Sequence, residues 1–226
     1  MSELLPLILP RAENYNAADF LTSASNQEAY DFIQTWPKWS QKAVFLYGPE
    51  ASGKTHLAAV WQSISKAFWL EDFQLDNLPY ETPQALVLDD LDKLIQRNEE
   101  AVLHFFNRVI AAGGSVLCVA KHKAADLNFR LLDLRSRLLA LPMIKLNQPD
   151  DELLAMLLAK EFTNRQLRVS PEIIEYLLKR IERSFSAIAP LIAELDAVAL
   201  REKKNISLPF LRAYFSTNAS KDAAPQ

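Results

Sequence analysis

Cysteine is nearly missing from this chain of 226 residues, and the single one, Cys118, rules out an internal disulfide and fits a reducing compartment. It lies in an apolar run, as a buried strand cysteine would. A basic surplus is missing too. Lysine and arginine number 25 against 28 acids, a net charge of −3, so electrostatics give no case for a dedicated nucleic-acid binder, and sequence-specific DNA contact is not expected. No stretch approaches the roughly 18 consecutive apolar residues of a membrane helix. The apolar start from Leu4 to Pro10 lacks a basic leader, is broken by prolines and has no small-residue cleavage site, so a cytoplasmic protein is expected. Glycine is scarce, with four in all, and this scarcity gives weight to the pair at Gly48 and Gly53.

Those two glycines frame Gly48-Pro49-Glu50-Ala51-Ser52-Gly53-Lys54-Thr55, which has the form G-x-x-x-x-G-K-T. In such a loop bare backbone N–H groups wrap a phosphate, the lysine reaches the outer phosphates and the threonine hydroxyl takes a Mg²⁺ position. The motif requires a buried strand before it and a helix after it. Ala43 to Tyr47 is a continuous apolar run, as for a parallel strand covered on both faces. Leu57, Val60, Trp61 and Ile64 recur at helical spacing, so an amphipathic helix follows with its N-terminus, including His56, aimed at the anion. An ADP or ATP site is the reading; a turn with a capped helix and nothing bound is the alternative.

Hydrophobic residues make up half of the chain, enough for one sizeable core and a small appendage. A helix is predicted over residues 26–35, further strands over 67–70, 85–90, 115–120 and 143–146, and helices over 99–111 and 131–140. Strands alternating with helices imply an α/β fold: a parallel five-stranded sheet with helices on both faces. Beyond Asn147-Gln148-Pro149-Asp150 only helical periodicity remains. Asp150 caps a helix to about residue 163, Ser170-Pro171 opens another with proline where its missing N–H costs nothing, and helices follow over 186–203 and from about 209. The domains are thus an extended peptide over 1–12, a nucleotide-binding domain over 13–147, a small all-helical lid over 148–215 and a disordered tail over 216–226.

The third strand, Ala85 to Leu88, ends in Asp89-Asp90. Beside a phosphate loop, Asp89 holds Mg²⁺ and Asp90 polarises the attacking water; the alternative is that either acid caps the next helix. On the helix after Phe129, Leu131, Leu134 and Leu138 mark the buried face, and Arg130 and Arg137 are placed together on another.

At this point the chain resembles the AAA+ ATPases. Gly48 to Thr55, Leu86 to Asp90, the run Asp133-Leu134-Arg135-Ser136-Arg137-Leu138, and Asp19-Phe20 with Asn26 look like the DnaA family of replication initiators, and more closely like its short Hda-type regulators. The similarity covers residues 5–215 and leaves no counterpart of a C-terminal helix-turn-helix. The resemblance implies a negative regulator of replication initiation that acts with the DNA-loaded sliding clamp to make the DnaA initiator hydrolyse ATP. Arg137 matches the arginine finger that enters a partner's nucleotide site, and Asp19 and Phe20 contribute to the nucleotide pocket. The stretch Leu5-Pro6-Leu7 stands in the clamp-binding position, with Ser2 where glutamine and Glu3 where leucine are expected. On the residues alone it is equally an extended peptide packed on its own domain.

Two departures bear on hydrolysis. Lys121 replaces the acid or amide that senses the γ-phosphate, and Ser186 replaces a nucleotide-contacting lid arginine, with Arg183 one turn away as a substitute. Weak or absent intrinsic ATPase activity is therefore expected. The competing readings are a helicase loader or remodelling ATPase driven by its own hydrolysis, and a P-loop kinase, disfavoured by the helical ending. Monomer and homo-dimer are both left open.

Overall fold

A computed structural model describes residues 15–70 and 84–222, so the Leu5-Pro6-Leu7 stretch lies outside the described residues. Five strands form one sheet: β1 (Ala43–Tyr47), β2 (Phe68–Leu70), β3 (Ala85–Leu88), β4 (Ser115–Ala120) and β5 (Met143–Lys145). Their order is β2-β3-β4-β1-β5 and every pairing is parallel. The α/β expectation is met strand for strand.

Period-two alternation explains why these runs are apolar throughout. Phe45, Val116, Cys118 and Leu86 point to one face, where they pack with α3 (Leu91–Arg97), α4 (Glu99–Ala111) and α5 (Leu132–Leu139). Val44, Leu46, Leu117 and Val119 point to the other, against α1 (Gln27–Gln34) and α2 (Lys54–Ser65). Phe105 and Phe106 fill the first layer edge to face at 5.8 Å between centroids. In the second, Trp61 of α2 is wholly buried, stacked on Trp39 at 5.1 Å and met edge-on by Trp36 at 6.3 Å. Burial raises the pKa of the Cys118 thiol far above its usual value, so this cysteine is an inert core residue.

Helices leave β1 and β4 toward opposite faces. The loops after β1, β3 and β4 therefore open on one crevice, the usual ligand position in such sheets. In register, Tyr47 pairs with Ala120 and Leu88 with Cys118, so the three strand ends are nearly level.

The second unit, from Pro149, is helical: α6 (Asp151–Asn164), α7 (Pro171–Leu178), α8 (Phe185–Glu202) and α9 (Leu208–Asp222). Asp150 caps α6 through its carboxylate and the Leu153 N–H at 2.8 Å, whereas Ser170 makes no side-chain cap to α7. Leu154, Leu158, Phe162, Ile188 and Leu195 form its own core. Three details differ from the sequence reading. Helix α3 is additional, placed directly after the acid pair. Helix α5 begins at Leu132, which leaves Arg130 before the helix rather than beside Arg137 on its surface. Helix α9 runs to Asp222, past residue 216, where disorder is predicted.

With two separate cores, local damage stays local. Phe105→Ala is expected to cost about 3–5 kcal/mol, and Phe162→Ala a similar amount, in denaturant unfolding. Hydrogen exchange should lose protection mainly over residues 43–146 in the first variant and over 151–215 in the second.

Candidate functional site

The phosphate loop is built by close approach. A Cβ on Gly48 would overlap the carbonyl oxygen of Leu146, the residue just after β5, so only glycine lets β1 turn there. Gly53 has φ 90° and opens α2, again a conformation suited to glycine. Ala51 adopts φ 53° without glycine's freedom, a strain of about 1–2 kcal/mol held in place by the loop around it. Ser52 is buried, and its hydroxyl has no hydrogen-bond partner among the described residues. An orphaned donor inside a glycine-framed cradle at a helix N-terminus is what a phosphate oxygen would satisfy.

Lys54 donates from Nζ to the Pro49 carbonyl at 2.6 Å across its own loop. Burial pulls its pKa below the ordinary 10.5, while Asp89, Asp92, Asp90 and Glu50 work in the opposite direction. Thr55 donates from Oγ1 to Asp89 Oδ2 at 3.2 Å, joining the first turn of α2 to the end of β3. One hydroxyl and one carboxylate are the hard oxygen donors that Mg²⁺ takes beside phosphates. No cluster of three or more His, Cys, Asp or Glu suited to a metal occurs among the described residues.

Asp90, at φ 53° just before α3, donates its N–H to Asp89 Oδ1 at 2.9 Å, and its carboxylate pairs with Lys93 at 2.8 Å. It occupies the N-cap position of α3, its carbonyl accepting the Lys93 and Leu94 N–H groups, but its side chain makes no capping hydrogen bond. Lys121, after β4, reaches Glu50 of the phosphate loop at 3.2 Å. These residues line a cavity of about 500 Å³ together with Asp92, Val119, His122 and Leu127.

Asp92 is the residue that the sequence reading missed. Its carboxylate accepts the Lys121 N–H at 2.6 Å, the His122 N–H at 3.2 Å and sits 3.0 Å from His122 Nδ1. It thereby pins the loop after β4 to the first turn of α3. Leu91, Leu94 and Ile95, spaced i, i+3, i+4, are the signal that would have found this helix.

On the other side of α2, residues 15–20 lie against its first turn. His56 Nε2 is 2.9 Å from the Asn16 carbonyl, and its ring meets Phe20 edge-on at 5.2 Å and Tyr15 at 5.5 Å. Phe20 also stacks on Tyr30 of α1 at 5.6 Å, and the Asp19 N–H closes the turn on Asn16. Phe20 and His56 are thus brought together. Asn26 serves the structure: buried, it accepts from the Ser23 N–H at 2.8 Å and donates to Leu21 O at 2.9 Å.

Arg183 belongs to the second unit, where it pairs with Asp151 at 2.9 Å. Ser186 Oγ lies 3.2 Å from Ser184 Oγ. Arg137 is exposed on α5, and no hydrogen bond or ion pair engages its guanidinium among the described residues.

Comparison with known proteins agrees with this architecture. Residues 150–215 match the family model described as Hda, lid domain. The chain is 28% identical over 188 residues to an uncharacterised protein of Haemophilus influenzae, covering 76% of this chain and 80% of that one. Among solved structures, domain III of the Thermotoga maritima replication initiation protein DnaA superposes with a TM-score of 0.73 at 17% identity, covering 89% of this chain and 95% of that one. AMPPCP-bound DnaA from Aquifex aeolicus gives 0.70 at 16%, covering 92% and 70%.

Lys54→Ala should weaken Mg·ADP binding by about 10- to 100-fold, the worth of charge-assisted bonds to phosphate, in titration calorimetry. Because burial lowers the Lys54 pKa and an anion would raise it again, binding should take up a proton at alkaline pH. Affinity should then fall as pH rises through the depressed value, and the enthalpy should depend on the buffer's ionisation heat; Lys54→Ala should lose both effects.

Proposed function

For an Hda-like, DnaA-related AAA+ protein, we propose the role of a nucleotide-dependent negative regulator of replication initiation, acting in trans on the ATP-bound initiator. The observation that carries this reading is the Hda-type lid over residues 150–215 behind an intact phosphate loop. The described relative in Aquifex aeolicus was solved with a nucleotide analogue, which supports adenine nucleotide as the ligand here.

In this reading Lys54, the N–H groups of Gly48 to Thr55 and the Ser52 hydroxyl hold the phosphates. Thr55 and Asp89 hold magnesium, whose charge offsets that of the β- and γ-oxygens when it is bound. Phe20 and His56 flank the base side. The chain's own hydrolysis is slow for a local reason. Asp90 is paired with Lys93 and the sensing position is Lys121, a cation tied to Glu50, so among the described residues the acid that would orient water stands beside a cation.

Arg137 is the working residue toward the partner. Exposed and unengaged, its planar guanidinium can spread over the charge of a phosphoryl group in transfer, a contribution worth about 10³ to 10⁵ in rate for such fingers. Leu5, Pro6 and Leu7 dock on the sliding clamp, which concentrates the regulator on DNA where it meets the initiator. No helix among the described residues is long and apolar enough to cross a membrane.

The test is hydrolysis of initiator-bound ATP in the presence of clamp-loaded DNA. The wild-type chain should accelerate it, and Arg137→Ala should return it close to the basal rate. Equal acceleration by both rejects the finger. No acceleration by either, together with turnover of about one per second by the isolated chain on Mg·ATP, favours the remodelling-ATPase alternative.

A further inference from the structure

Glu99 is the first residue of α4, half-buried, and its carboxylate is spent on another helix. The Arg130 N–H is shared between its two oxygens at 2.9 and 3.0 Å, and the Leu131 N–H reaches Oε2 at 2.7 Å. These two peptides lead the chain into α5. Leu131 is the cap residue of that helix and has no side chain able to accept a hydrogen bond, so the helix entry is held from a distance of 32 residues in sequence. A carboxylate on peptide N–H groups forms charge-assisted bonds at the positive end of the α5 dipole, where a negative charge is favoured.

The same junction is braced from behind. Asn98 ends α3, its N–H donating to the Leu94 carbonyl at 3.0 Å, and begins α4, its Oδ1 accepting the Ala101 N–H at 3.0 Å. Glu99 therefore stands on a fixed point between two helices. Further along α5, Leu134 and Leu138 are fully buried in the sheet's core and keep the helix attached. They fix which face of the helix points inward but not the direction of its entry, and with that the place where Arg137 is offered.

We infer that Glu99 is a positioning residue for Arg137: it fixes the entry of α5 and thereby the presentation of the exposed guanidinium to a partner's nucleotide. This rests on the reading of Arg137 as a finger. An open hollow of about 440 Å³ borders the junction, so water can replace the carboxylate and truncation leaves a folded chain.

The experiment uses the full chain with clamp-loaded DNA and the ATP-bound initiator, and compares wild type, Glu99→Ala, Glu99→Gln, Arg137→Ala and the Glu99→Ala/Arg137→Ala double variant. Glu99→Ala should lower the maximal stimulated hydrolysis rate about tenfold or more with the half-saturating concentration unchanged, since a misplaced finger costs rate rather than docking. Glu99→Gln, which keeps one acceptor oxygen, should fall between. The double variant should be no slower than Arg137→Ala alone. In parallel, amide exchange at Arg130 and Leu131 should accelerate about tenfold or more in Glu99→Ala, while β1 and α2 keep their protection. Unchanged exchange at those two amides, full stimulation by Glu99→Ala, or a further loss in the Arg137→Ala background each overturns the inference. If Arg137→Ala itself stimulates as well as wild type, the finger reading fails by that result alone, and the exchange rates still decide whether Glu99 holds α5.

Discussion

Everything about the crevice depends on one close approach, the backbone of Gly48 against the Leu146 carbonyl beyond β5. That contact lets a buried strand turn sharply instead of running on, and it sets the level at which the phosphate loop begins. A methyl group there would displace either the loop or β5. Since β1 lies between β4 and β5, such a shift would be felt on both sides. The parallel order then delivers the other parts without further adjustment: Asp89 from β3 and Lys121 from β4 arrive within reach of a loop that started at β1.

The pocket's charges are arranged in mutually engaged pairs. Glu50 faces Lys121, Asp90 faces Lys93, and Asp92 takes the backbone of the loop after β4. Such exposed pairs contribute little to folding, typically about 0–1 kcal/mol each. Their importance is chemical. They place a cation beside Glu50 and beside Asp90, while Thr55 and Asp89 stay joined to each other at 3.2 Å. In the proposed reading, nucleotide binding and turnover would draw on different residues.

Much of this was legible in the chain itself. Continuous apolar runs ending in Gly48, in Asp89-Asp90 and in Lys121 announced the sheet and the edge where its loops gather, because buried parallel strands have no polar face to interrupt the pattern. The two units divide between Gln148 and Pro149. What escaped was non-local or short. Helix α3 is only 7 residues long and was hidden behind the acid pair that precedes it. The bond from Glu99 to Leu131 joins groups far apart in sequence, and no local pattern encodes it. Arg130 was assigned to α5 by counting sevens, whereas its peptide N–H is taken by Glu99 before the helix begins. The polar tail continued a helix already started by Leu208, Phe210 and Leu211, since a packed first turn supplies the nucleus that a polar sequence alone could not.

The aromatic layer beneath α2 has an optical consequence. Two indole rings, Trp61 of the helix whose first residue is Lys54 and Trp39 from the segment before β1, lie nearly parallel at 5.1 Å. Chromophores so close share their excited states, so their circular dichroism and emission report on the seating of that helix. The molecule carries, without any label, its own spectroscopic gauge of whether the head of α2 has shifted.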